Sequence, residues 1–223
     1  MEQPKVDSDI FKLASFGDKA GLEKIVDAGE LDMTVPDRYG RSPLHWSARA
    51  GRTDCCTYLI GIDLDKNAAD AAGMTPLLHA AQAGEEVTVK LLVDAGCDVK
   101  AQDNNGNTAV HFAVSKGILG MVQTLQEKDA SLSVKNKTGF TPAHVAVSNG
   151  QTVIARYLIK MLDAKELDGS NDTGNTALHI ASSCGFANIC KELVDAGCSV
   201  DVTNGAGFKP VDIATGSAGK AFA

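Results

Sequence analysis

Glycine returns at Gly40, Gly73, Gly106, Gly139, Gly174 and Gly207, in steps of 33, 33, 33, 35 and 33 residues. This near-constant period constrains the fold more than any other feature. It calls for small supersecondary units stacked in a row, each too thin to bury an apolar face alone. The 223 residues therefore read as one array rather than as two globular domains.

Aligning on the glycines gives a recurring phrase: DRYGRSPLHWSARAG, DAAGMTPLLHAAQAG, DNNGNTAVHFAVSKG, NKTGFTPAHVAVSNG and NDTGNTALHIASSCG. An Asp or Asn three residues before glycine makes a tight turn, with positive φ supplied by the glycine. The hydroxyl that follows (Ser42, Thr75, Thr108, Thr141, Thr176) suits a helix N-cap. Pro43, Pro76 and Pro142 then suit the first helical position, where the missing N–H costs nothing. A short helix should end at Gly51, Gly84, Gly117, Gly150 or Gly185. A second helix has apolar residues at helical spacing, as at Val89, Leu92 and Val93.

This pattern resembles the ankyrin repeat, with its unit of about 33 residues and its T-P-L-H-x-A phrase. The resemblance implies an all-α solenoid of stacked helix pairs with β-hairpin-like turns, about seven units long. The expected units are an N-terminal cap at 1–36, five repeats at 37–69, 70–102, 103–135, 136–170 and 171–203, and a partial C-terminal unit at 204–223. Residues 8–33 keep the two-helix pattern without the turn phrase and are polar, as a terminal cap needs. In the last unit Asp212 stands where other units place histidine, and the Gly/Ser/Ala tail is expected to fray. Repeat two places Leu78 at the usual histidine position and shifts His79 by one. The two extra residues of repeat four fall within 160–170, as a longer second helix or a loop.

The resemblance also assigns roles. His45, His111, His144 and His179 share one repeat position and are expected to bridge the turn backbones of neighbouring units, since imidazole offers both a donor and an acceptor. Copies about 10 Å apart cannot meet the roughly 2.1 Å bonds of one zinc ion, so no metal site is expected. Turn tips and the solvent side of the first helix would line a concave groove. The residues expected to bind a partner there are Arg38, Tyr39, Arg41, Arg49, Met74, Asn105, Lys116, Lys137 and Phe140. Arg and Tyr are enriched in interface hot spots, and the arginines favour an acidic segment. Arg41 is expected to be free enough to reverse in charge without loss of stability. Met74 and Phe140, at the same repeat position, could serve a partner as exposed apolar anchors, although packing onto neighbouring turns is the plainer expectation; Trp46 falls at a core-like position.

Net charge is −7, and no basic stripe interleaves with aromatics, which argues against nucleic-acid binding. The charge is uneven. Residues 1–36 carry four Lys against eight acidic residues, while 37–69 carries four Arg and is near neutral. Aromatics make up only 5%, so Leu, Val, Ile and Ala must form the core. No apolar run reaches membrane-spanning length, and the first twenty residues lack a secretory h-region. The cysteines (55, 56, 97, 184, 190, 198) form no C-x-x-C pair and read as reduced packed thiols. These features point to a monomer in the cytoplasm, with the nucleus as an alternative.

Catalytic motifs are absent. There is no G-x-S-x-G and no H-E-x-x-H. The tail near Lys220 fails as a phosphate loop, because Ala214 stands at the first glycine position and Ala221 follows the lysine. No cofactor is implied. Within the family, SPLHWSARAG is similar to the first full repeat of a chaperone of proteasomal ATPase assembly. That role, or an ankyrin portion of a larger enzyme or channel, stands as the alternative to a general protein-binding module.

Overall fold

The computed structural model describes residues 7–29 and 32–222. Parts of the expected terminal units (residues 1–6, 30, 31 and 223) lie outside the described residues. The described residues form thirteen α-helices and no strand. They are α1 (Asp7–Phe16), α2 (Lys19–Ala28), α3 (Pro43–Arg49), α4 (Thr53–Gly61), α5 (Pro76–Ala83), α6 (Glu86–Asp94), α7 (Ala109–Lys116), α8 (Leu119–Gln126), α9 (Pro142–Ser148), α10 (Thr152–Met161), α11 (Ala164–Leu167), α12 (Ala177–Ser183) and α13 (Ala187–Asp195).

The helices group into two compact units. One holds residues up to Asn104 with Gln123–Ala130, and the other holds Asn105–Val122 with the residues from Ser131 onward. In the first unit α1, α3 and α5 pack side by side, and α2, α4 and α6 form the layer behind them. In the second unit α7, α9 and α12 form one layer, with α10 and α13 behind.

The front-layer helices run only seven or eight residues from α3 onward. That is too short to be stable alone, so packing must hold them. Leu44, Leu77, Val110, Ala143 and Leu178, one per helix, are at most 4% exposed. Burying such an aliphatic side chain contributes about 1.5–3 kcal/mol for the larger residues.

The caps follow the sequence signals. Ser42, Thr75, Thr108, Thr141 and Thr176 are extended N-caps. Prolines 43, 76 and 142 open their helices. Gly84 and Gly117 close theirs at φ 89° and 76°. At Gly139 (φ 73°) a side chain is excluded twice over, because a Cβ there would lie 2.8 Å from Asn171 Cα and Asp172 N in the adjoining turn.

Two regions differ from the sequence expectation. The tail does not fray. Thr215 N–H bonds Ser182 O, its hydroxyl bonds Ser183 O, and Ala218 is fully buried in a 3₁₀ turn (Ala218–Phe222) packed on α13. Small side chains let this segment lie close against the helix. The insertion in repeat four forms the one-turn α11, closed by a capping box between Asp163 and Glu166 and anchored by buried Leu167.

Candidate protein-binding surface

Five of the turns are each built by one Asx side chain. Asp37 Oδ1 accepts the N–H groups of Tyr39 and Arg41, and Asp70 Oδ1 those of Ala72 and Met74. Asn136, Asn171 and Asn204 repeat the pattern. The turns are tied to one another by backbone. Ala71 N–H donates to Tyr39 O at 2.9 Å and Asn104 N–H to Ala72 O at 2.9 Å. In the second unit Lys137 donates to Asn105 O, Asp172 to Thr138 O and Gly205 to Thr173 O.

Histidine adds a second tie. Nδ1 of His45 accepts the Ser42 N–H at 3.0 Å, so the proton sits on Nε2, which donates to Met74 O at 3.0 Å. His111 reaches Phe140 O, His144 reaches Asn175 O and His179 reaches Phe208 O in the same way. Each imidazole also completes a capping box with its N-cap residue. The four histidines are therefore structural bridges, at most 3% exposed. No group of three potential metal ligands exists among the described residues.

Repeat two departs from this pattern. With Leu78 in the bridging position, His79 turns to Asp70, its Nε2 lying 2.9 Å from Oδ2. Its ring stands edge-on to His45, with centroids 5.6 Å apart. Nδ1 of His79 is buried and has no partner. Burial lowers the pKa of His79 against the pull of Asp70, with Arg41 and Arg49 adding to the lowering. Burial, then the neighbouring His79, holds His45 down to about 4. Burial also opposes the charge on Asp70. Hydrogen bonds from His79, from the Met74 and Ala72 amides and from Arg41 outweigh it and hold Asp70 at about 2. The one-residue shift of His79 was the sequence signal for this cluster.

The cluster changes the reading of Arg41. Its Nε lies 3.2 Å from Asp70 Oδ2, and its side chain is only 22% exposed. It is thus the partner of a buried carboxylate rather than a free cation. Met74, a candidate anchor, is 5% exposed and follows the packing alternative. Its N–H bonds Asp70 and its carbonyl accepts both Asp70 N–H and His45 Nε2–H, which pins it into the unit. Phe140 is half-buried against His144, with centroids 5.6 Å apart. Trp46, also half-buried, donates from Nε1 to Asp37 Oδ2 at 3.1 Å.

The remaining expected residues are exposed. Arg38, Tyr39 and Arg49 lie in the first unit, and Asn105, Lys116 and Lys137 in the second. The Arg38 guanidinium lies 4.6 Å from the Tyr39 ring centroid, and that of Arg41 lies 5.2 Å away. Such stacking holds a long side chain in place and so lowers the entropy cost of a contact.

Comparison with known proteins agrees with this architecture. The family model "Ankyrin repeats (3 copies)" matches residues 61–136 and 128–204, and the model "Ankyrin repeat" matches residues 39–70. The chain belongs to the ankyrin-repeat family. The human ASB11 ankyrin repeat domain superposes with a TM-score of 0.82 at 21% identity, covering 95% of both chains. The ankyrin repeat domain of Bcl-3, a member of the IkappaB protein family, gives 0.82 at 22%, covering 93% of both. At these identities the likeness establishes the fold. Palmitoyltransferase akr1 of Neurospora crassa is 43% identical over 53 residues, and palmitoyltransferase AKR1 of Gibberella zeae is 39% identical over 54. Each match spans 24% of this chain and only 7% of the relative.

Proposed function

We propose that this ankyrin-repeat chain is a non-enzymatic interaction module that binds another protein through its turn tips and front-layer helices, with Arg38, Tyr39 and Arg49 at the centre of the contact. The observation that carries this reading is the stack of Arg38 on Tyr39, which holds a cation and an aromatic ring together on an exposed turn. Residue types of this kind dominate interface energetics. A cation unencumbered by a buried partner is suited to an acidic segment. Arg41 supports the site from beneath by anchoring to Asp70. In the second unit Asn105, Lys116, Lys137 and the half-buried Phe140 are the corresponding candidates. The test is affinity capture followed by identification of the bound protein, with Arg38→Glu/Arg49→Glu as the comparison bait. The reading expects at least a tenfold loss of affinity at an unchanged melting temperature. Undiminished capture by the double variant would sink it.

A second reading draws on the identity to the two fungal palmitoyltransferases. There the chain would be the interaction portion of a larger enzyme. The aligned stretch is short and consists of ankyrin sequence, so it supports shared repeat architecture rather than shared chemistry. A transcript encoding additional catalytic sequence would favour this second reading.

A further inference from the structure

The ladder of turns has a free end. In every later turn the second residue gives its N–H to the third-residue carbonyl of the turn before, as Ala71 does to Tyr39. In the first turn the equivalent N–H belongs to Arg38, which is exposed, and it finds no acceptor among the described residues. A donor left open at the end of such a ladder can take a main-chain carbonyl from an added extended segment.

The charge around this donor is also legible. Arg38 makes no ion pair among the described residues, and its guanidinium is seated on Tyr39. The carboxylate next to Arg38 in the chain, Asp37, is already engaged. Asp37 spends Oδ1 on the turn and Oδ2 on Trp46, while Asp32 caps Thr34. Arg49 is exposed in the same unit. The edge thus offers a hydrogen-bond donor with a cation held beside it.

We infer that an extended acidic segment of a partner protein adds to this edge. Its main-chain carbonyl accepts the Arg38 N–H, in the place that Tyr39 O takes for Ala71, and an adjacent Asp or Glu side chain meets the Arg38 guanidinium. This mode of docking rests on the protein-binding reading above and specifies where and how the segment lies.

The test separates the amide from the side chain. Arg38→Ala removes the guanidinium and keeps the N–H, whereas Arg38→Pro removes both. Arg38 occupies the second position of a turn closed by Gly40 N–H to Asp37 O, a position that accepts proline. The probe is a fluorescein-labelled peptide of alternating glutamate and threonine, read by anisotropy at low salt. Saturable binding to the wild type is expected, about fivefold weaker for Arg38→Ala and about fivefold weaker again for Arg38→Pro. No saturable binding, or equal affinity of the two variants, overturns the inference. Should Arg38→Pro fail to fold, hydrogen exchange of the wild-type Arg38 amide decides, with protection by the peptide expected and no protection refuting it. The two readings fail differently. If a captured natural partner is lost with Arg49→Glu but retained by Arg38→Pro, protein binding stands and the edge mode falls. If the wild type itself captures no protein, the reading beneath falls too.

Discussion

Replacing His144 by leucine tests how the stack is held together. Leucine is a suitable probe because Leu78 fills the same repeat position, fully buried, so the site accepts its shape. The substitution deletes the bond from Nε2 to Asn175 O at 2.9 Å and the acceptance by Nδ1 of Thr141 N–H at 3.2 Å. Thr141 is 2% exposed, so its N–H is left without water, at a cost of about 1–3 kcal/mol. Asn175 is half-buried, and its carbonyl regains some solvent, so its loss is smaller, about 1 kcal/mol. The hydrophobic gain of leucine offsets about 1 kcal/mol. The net expectation is a destabilisation of about 2 kcal/mol. Urea unfolding followed by circular dichroism measures it, and hydrogen exchange locates it, with faster exchange in the turn Asn171–Asn175. A loss below about 0.5 kcal/mol with unchanged exchange would refute the bridging role.

Acid should weaken the fold through the buried histidines. His45 is held at about 4 when folded against 6.5 when unfolded, so between those values the unfolded chain takes a proton that the folded chain refuses. Stability is full above pH 6.5 and falls by up to about 3 kcal/mol as pH drops to 4. His79 and His144, lowered by burial, act in the same direction. A melting temperature that is flat or rising from pH 7 to 4.5 would contradict this. Arg41→Glu should cost about 2 kcal/mol, the penalty for unpairing a buried carboxylate discounted for the partial exposure of Arg41, and a melt matching the wild type would return Arg41 to the free surface. Among the six cysteines, native thiol titration should find Cys184 fast and the rest protected. Burial raises Cys56 and Cys198 to about 12 and Cys97 to about 11. Rapid reaction of more than one thiol would show that the packed layers open.

Periodicity made the units, caps and histidine bridges legible, because each follows from short-range chemistry repeated in register. Gly139 needs a positive φ wherever its neighbours lie, and Thr141 caps whichever helix follows it. Burial at a repeat position was harder to read, because it depends on the side chain offered by the next unit. Arg41 looks free until Asp70 is placed beside it, and Met74 reads as either anchor or packing until its backbone is pinned from two sides. Phe140, at the same repeat position, stays half-buried. The tail was misread for a related reason. Gly, Ser and Ala carry little local propensity, yet their small size lets Ala218 seat against α13.

Hydrogen exchange on this chain with its captured partner bound should show protection gathered on residues 37–49, the turn of Arg38 and Tyr39 with α3. Protection confined to the back-layer helices α4, α6, α10 and α13 would contradict binding through the turn tips and front-layer helices.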